Sequence, residues 1–152
     1  MVRDCRVLAT AILLSLVGAG SLVGQTQTTW VAGYAGESFE DDGLKATVVG
    51  GQLGVQLLGR LGVFGDLLIA STGTLLGSAG ATLNRMGRPD HPGPYIGLAA
   101  DWMQREGRQE FGPGALLGVQ MPITAKVAAQ LEARIMLNTQ RVLLLAGLSM
   151  RI

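Results

Sequence analysis

Sulfur and imidazole chemistry are nearly absent from this chain: it has one cysteine, Cys5, and one histidine, His91. A single thiol forms no internal disulfide, and one imidazole without further soft donors is too few for a zinc-type ligand set. Charge is also sparse, at 15% of residues with a net of +1, and the basic residues are scattered, which excludes the concentrated positive face that nucleic acid needs. Aromatic residues make up only 5%. Beyond the first two dozen residues no apolar run reaches the roughly 20 residues of a spanning helix. What the chain has instead is 23 glycines and 48% hydrophobic residues, an apolar load that must be buried by something other than a long helix.

The opening segment reads as an export leader. Arg3 and Arg6 form a basic start, residues 7–23 are largely apolar, and small residues follow where a peptidase cuts. Cleavage after Ala19, Gly20 or Gly24 fits, and the reading sets residues 1–24 as signal peptide and 25–152 as the mature domain. An uncleaved anchor is the alternative, but Thr10, Ser15, Gly18 and Gly20 dilute the apolar stretch. Removal of the leader takes Cys5 with it and leaves roughly 130 residues, enough for one domain.

Across a bilayer, the alternative to a helix is a closed barrel of strands about 9 to 11 residues long, apolar toward lipid and mixed toward the lumen. That architecture demands a period of two. Near the C-terminus Val127, Ala129, Leu131, Ala133, Ile135 and Leu137 alternate with Lys126, Ala128, Gln130, Glu132, Arg134 and Met136. After Asn138, Thr139 and Gln140, the final segment sets Val142, Leu144, Ala146, Leu148, Met150 and Ile152 against Arg141, Gly147, Ser149 and Arg151. Two such strands joined by a polar turn make a hairpin, and the last one is placed to close on the first. Residues 125–137 are also good helix formers, so helix is the competing reading; the glycine-dense stretch before Pro122 offers no helix to cover such a face.

The same alternation recurs upstream. Segments 114–121, 95–103, 75–84, 61–71, 46–58 and 28–35 read as strands, with Phe64, Asp66 and Leu68 inward on one and Tyr95, Asp101 and Met103 inward on another. An acidic loop at 36–43, turns at 59–60 and 72–73, a proline-rich breaker at 88–94, a charged loop at 105–110 and turns at 122–124 and 138–141 separate them. The tally is about eight strands, the even number of a single-chain membrane barrel. The fold class expected is therefore all-β, an antiparallel up-and-down membrane β-barrel.

With its leader, its strand count and the stretches GPGALLGVQMPITAKVAAQLEARIML and RVLLLAGLSMRI, the chain resembles the small eight-stranded outer-membrane barrels of Gram-negative bacteria, the OmpA-like and OmpX-like transmembrane domains. The resemblance implies the outer membrane as location, its lipid as partner, delivery through the barrel-assembly machinery by the C-terminal strand, and a monomer. It implies both chain ends in the periplasm and the turns near 36–43, 72, 105–110 and 138–141 outside. Trp30, Tyr34, Trp102 and Phe111 are either interfacial belts or core.

Asp66, Asp101, Gln120, Gln130, Glu132, Arg134 and Arg151 fall on inward positions, where desolvated charges of both signs would pair into a polar network filling the lumen rather than lining an open pore. Catalysis is not indicated: His91 lies in a proline-rich turn with no nucleophile near it in sequence, and Gly50, Gly51 and Gly54 lack the lysine and helix of a phosphate loop, so they read as close strand packing. No cofactor and no catalytic or metal residue is expected. The role expected is a non-enzymatic barrel with a structural, adhesive or minor channel function. A soluble exported barrel holding an apolar ligand is the alternative, and it requires the opposite face polarity.

Overall fold

The computed structural model describes residues 28–40, 43–58, 60–85, 92–137 and 139–152. The leader expected at 1–24 and the turn histidine His91 lie outside them. Eight strands follow in chain order: β1 (Thr28–Phe39), β2 (Lys45–Leu58), β3 (Leu61–Ala70), β4 (Leu75–Leu83), β5 (Gly93–Arg105), β6 (Arg108–Pro122), β7 (Val127–Met136) and β8 (Arg141–Arg151). Each pairs antiparallel with the next, and β1 pairs with β8 from Trp30↔Arg151 to Phe39↔Val142, which closes the barrel. Among the described residues no helix is long and apolar enough to cross a membrane. With every strand paired on both sides, the barrel has no open sheet edge, the condition for placing a sheet in hydrocarbon.

The period-two pattern becomes two surfaces. On β7, Ala128, Gln130, Glu132, Arg134 and Met136 are buried while Leu131 and Ile135 are exposed; on β8, Leu143 and Leu145 are buried while Leu144 and Leu148 are exposed. Segment 125–137 is thus mostly strand, and its helix-forming residues are overridden by pairing on both sides with β6 and β8. Outward apolar positions recur around the barrel, with Leu98 72%, Leu117 57% and Leu67 52% exposed, an arrangement that water would penalise and lipid accepts.

Several boundaries differ from those the sequence suggests. The segment 36–39, read as part of an acidic loop, belongs to β1, because Glu37 pairs with both Thr47 and Leu144 and the ladder continues regardless of side-chain polarity. Beyond β1, Gly43, at φ 81°, donates its N–H to the Glu40 carbonyl at 3.0 Å. The charged segment 105–110 is likewise not a loop but the tip of a hairpin, with Arg105↔Arg108 paired around a turn of Glu106 (φ 49°) and Gly107 (φ 80°). Two successive positive φ values are those of a tight type I′ turn, so charged side chains stand on strands that continue past the apolar band. Gly93 and Pro94, read as part of the breaker, open β5, with Pro94↔Val119 in register. Strand β7 starts at Val127 rather than 125, since Thr124 Oγ1 accepts the N–H groups of Lys126 (3.2 Å) and Val127 (3.0 Å) and holds 123–126 as a turn.

The interior is layered. Toward the hairpin end, where β5 turns into β6 at Glu106 and Gly107, Val48, Leu68, Leu76, Met103, Met136 and Leu143 belong to one apolar cluster. Trp30, Phe64, Tyr95 and Leu116 form a second. Trp30 (0% exposed) and Tyr34 (4%) are therefore core rather than interfacial belt, whereas Phe111 (63%), paired with Trp102, faces outward.

Candidate functional site

Between the two apolar clusters the inward positions of six strands converge. Arg134 is the hub. Its Nη1 donates to Asp66 Oδ2 at 2.8 Å and to Ser78 Oγ at 2.9 Å, and its Nη2 donates to Glu132 Oε1 at 2.5 Å. All three ionised side chains are at most 2% exposed. Alternation alone explains how Glu132 and Arg134 come to one face of β7, while closure of the barrel brings Asp66 of β3 and Ser78 of β4 across to meet them.

The network extends both ways. On one side Gln52 donates to Asp66 Oδ2 at 3.4 Å and accepts from Trp30 Nε1 at 3.4 Å. On the other, the second oxygen of Glu132 accepts from Tyr95 Oη at 2.9 Å and from Arg85 Nη1 at 3.1 Å. Gln130 Oε1 accepts from Tyr34 Oη at 2.6 Å and from Arg85 Nη2 at 2.9 Å, and Arg85 Nη2 also meets the Tyr34 hydroxyl. Glu132 is thus a buried carboxylate with three donors and two cationic neighbours, the condition under which ions are retained away from water.

Arg85 had no place in the sequence reading. It follows Asn84, whose φ of 67° breaks the strand's alternation while its N–H still bonds the Arg60 carbonyl at 2.8 Å. The chain leaves β4 there, and the Arg85 side chain is fully buried in the lumen. Its guanidinium carbon lies 4.7 Å from the Tyr95 ring centre, 5.6 Å from Trp30 and 6.0 Å from Tyr34. The available signal was an asparagine, which tolerates the left-handed region, directly ahead of an arginine at a strand end.

The rings are seated by glycines. A Cβ at Gly54 would run into the Trp30 ring and one at Gly118 into Tyr95; one at Gly62 would lie 2.9 Å from Trp30 and one at Gly147 2.7 Å from Tyr34. Gly54 therefore is close strand packing, whereas a Cβ at Gly51 meets only the Ala32 carbonyl oxygen, at 3.4 Å.

Of the residues picked out by inward position, Asp66, Gln130, Glu132 and Arg134 belong to this bonded chain. Asp101 is buried (1% exposed) and paired with Ser78 in register, but neither carboxylate oxygen is hydrogen-bonded among the described residues; a Cβ at Gly114 would strike it. Gln120 and Arg151 share the inward parity but are only half-buried, near the end that carries the 123–126 turn.

At the hairpin end, Glu40 is held between Arg141, which is buried, and Arg105, at 3.3 Å. With Met103, Glu106, Arg108, Glu110 and Thr139 these residues line a basin of about 450 Å³. Among the described residues no group of three or more His, Cys, Asp and Glu is arranged to hold a metal ion.

No protein-family model and no curated protein sequence matches the chain. Solved structures match its fold. The N-terminal β-barrel domain of Pseudomonas aeruginosa OprF aligns at 15% identity and a TM-score of 0.59, covering 82% of this chain and 97% of that one. Neisserial surface protein A aligns at 18% and 0.52, covering 84% and 98%. The designed barrel TMB2.3 aligns at 20% and 0.60, covering 85% and 98%. The likeness is one of fold: a closed, eight-stranded antiparallel barrel of the outer-membrane type.

Proposed function

We propose that this chain is a non-enzymatic barrel of the bacterial outer membrane, exported by its leader and inserted by the assembly machinery through β8, with a filled lumen and a structural or adhesive role. The observation that carries this reading is the inverted polarity. Apolar side chains such as Leu98, Leu117 and Leu148 face outward, while Asp66, Glu132, Arg85 and Arg134 are bonded to one another inside. A soluble barrel for an apolar ligand requires the reverse arrangement.

The bonded chain from Trp30 to Arg85 spans the lumen, and the apolar layer above it is packed with side chains, which supports structural filling over a permanent water path. The charged hairpin tips and the basin at Glu40, Arg105 and Arg141 stand at the end where a surface contact would be made.

The test is gel mobility of the mature chain from an outer-membrane fraction, boiled against unboiled, followed by reconstitution into planar bilayers. A heat-dependent shift with no sustained conductance is expected. A soluble, unshifted protein overturns the membrane reading. Stable conductance steps overturn the filled lumen and favour a channel.

A further inference from the structure

The surroundings of Arg85 are more elaborate than filling a lumen requires. The rings of Tyr95 and Trp30 stand 4.7 and 5.6 Å from its guanidinium carbon, Tyr34 meets it with its hydroxyl, and Glu132 and Gln130 accept from its nitrogens. Aromatic rings beside a cation, with a hydroxyl and a carboxylate to accept from it, form a recognition site for weakly hydrated organic cations. None of these side chains belongs to the element that delivers Arg85. The rings stand on β1 and β5, the acceptors on β7, and the glycines that seat the rings on β2, β3, β6 and β8. The walls are thus fixed by the closed barrel, and Glu132 keeps Arg134 as a partner whatever Arg85 does.

We propose that this aromatic and carboxylate cage is a binding site for a planar cation of the guanidinium class, and that Arg85 fills it as a ligand supplied by the same chain. A free guanidinium and the Arg85 head group compete for one place. The cage prefers such a cation over sodium, whose tightly held water the rings cannot replace.

The experiment uses the full mature chain folded in detergent micelles, in a Trp102→Phe background that leaves Trp30 as the only tryptophan. In the Arg85→Ala variant, millimolar guanidinium chloride is expected to shift Trp30 emission saturably and to raise the temperature of the heat-dependent mobility change. Sodium chloride is expected to act roughly tenfold more weakly or not at all. The chain that keeps Arg85 is expected to show neither response, and adding Glu132→Gln to Arg85→Ala is expected to weaken the guanidinium response severalfold. Equal responses to guanidinium and sodium, or none, in a folded Arg85→Ala chain overturn the proposal. If that variant does not fold alone, its folding yield becomes the readout: recovery selective for guanidinium supports the site, and equal recovery or none overturns it.

Discussion

Glu132 and Arg134 stand two places apart on the inward face of β7 and are joined at 2.5 Å, while the same guanidinium reaches Asp66, 68 residues earlier, at 2.8 Å. One cation therefore serves two buried carboxylates on strands that are not neighbours. Replacing Arg134 with methionine keeps much of the volume, strips Asp66 of its ion-pair partner and leaves Glu132 with Arg85 alone, so a loss of about 3–5 kcal/mol in unfolding free energy is expected. Urea titration of the barrel in lipid vesicles measures it. The triple replacement Asp66→Asn, Glu132→Gln, Arg134→Met is expected to recover most of that loss; no recovery would show that Arg134 contributes through something other than its charge.

Asp101 behaves in the opposite way. Its buried carboxylate makes no direct ion pair among the described residues, having Ser78 and the more distant Arg134 charge as its polar neighbours, so Asp101→Asn removes a buried charge and breaks no salt bridge. Stability is expected to stay level or rise by about 1 kcal/mol in the same titration. A drop comparable to that of Arg134→Met would place Asp101 inside the network.

Gly54 is occupied in space by the Trp30 ring. Gly54→Val forces the indole out of its seat and is expected to cost about 1–3 kcal/mol. Pairing it with Trp30→Leu, which vacates the ring, is expected to yield a double variant better than the sum of the two losses, a coupling that a double-mutant cycle reads directly.

Leu98 tests the solvent around the barrel. It is outward, central in β5 and 72% exposed. Leu98→Arg is expected to cost about 2–4 kcal/mol if that surface meets hydrocarbon. In water the same change at an exposed position stays within about 0.5 kcal/mol. Vesicle refolding yields of Leu98→Arg and Leu98→Ala, compared side by side, separate the two.

What the sequence made legible follows from where period two holds. In β7 and β8 the apolar and polar sets are cleanly segregated, so strand, face and hairpin could be read, and with them Gln130, Glu132 and Arg134 as inward residues. Ends of strands were less legible because polarity stops reporting pairing above the apolar band: Glu37 and Arg108 are in the ladder yet look like loop residues. In β1, Val31, Gly33 and Ala35 are no more polar than Trp30, Ala32 and Tyr34, so the inner face there could not be chosen from residue type alone. Arg85 escaped entirely, since it lies past the point where Asn84 abandons the alternation, and its partners are fixed by closure rather than by spacing.

The seam between β1 and β8 also carries a kinetic consequence. Trp30 pairs with Arg151, and Tyr34 hydrogen-bonds Gln130 across 96 positions, so these contacts form only when nearly the whole chain has arrived. Until then the unclosed sheet has two free edges, and the acids and arginines inside it remain hydrated. Closing the seam and dehydrating the interior are consequently one event. The slow step of assembly is expected to be this late zippering, with long-range pairing rather than local strand formation setting its rate.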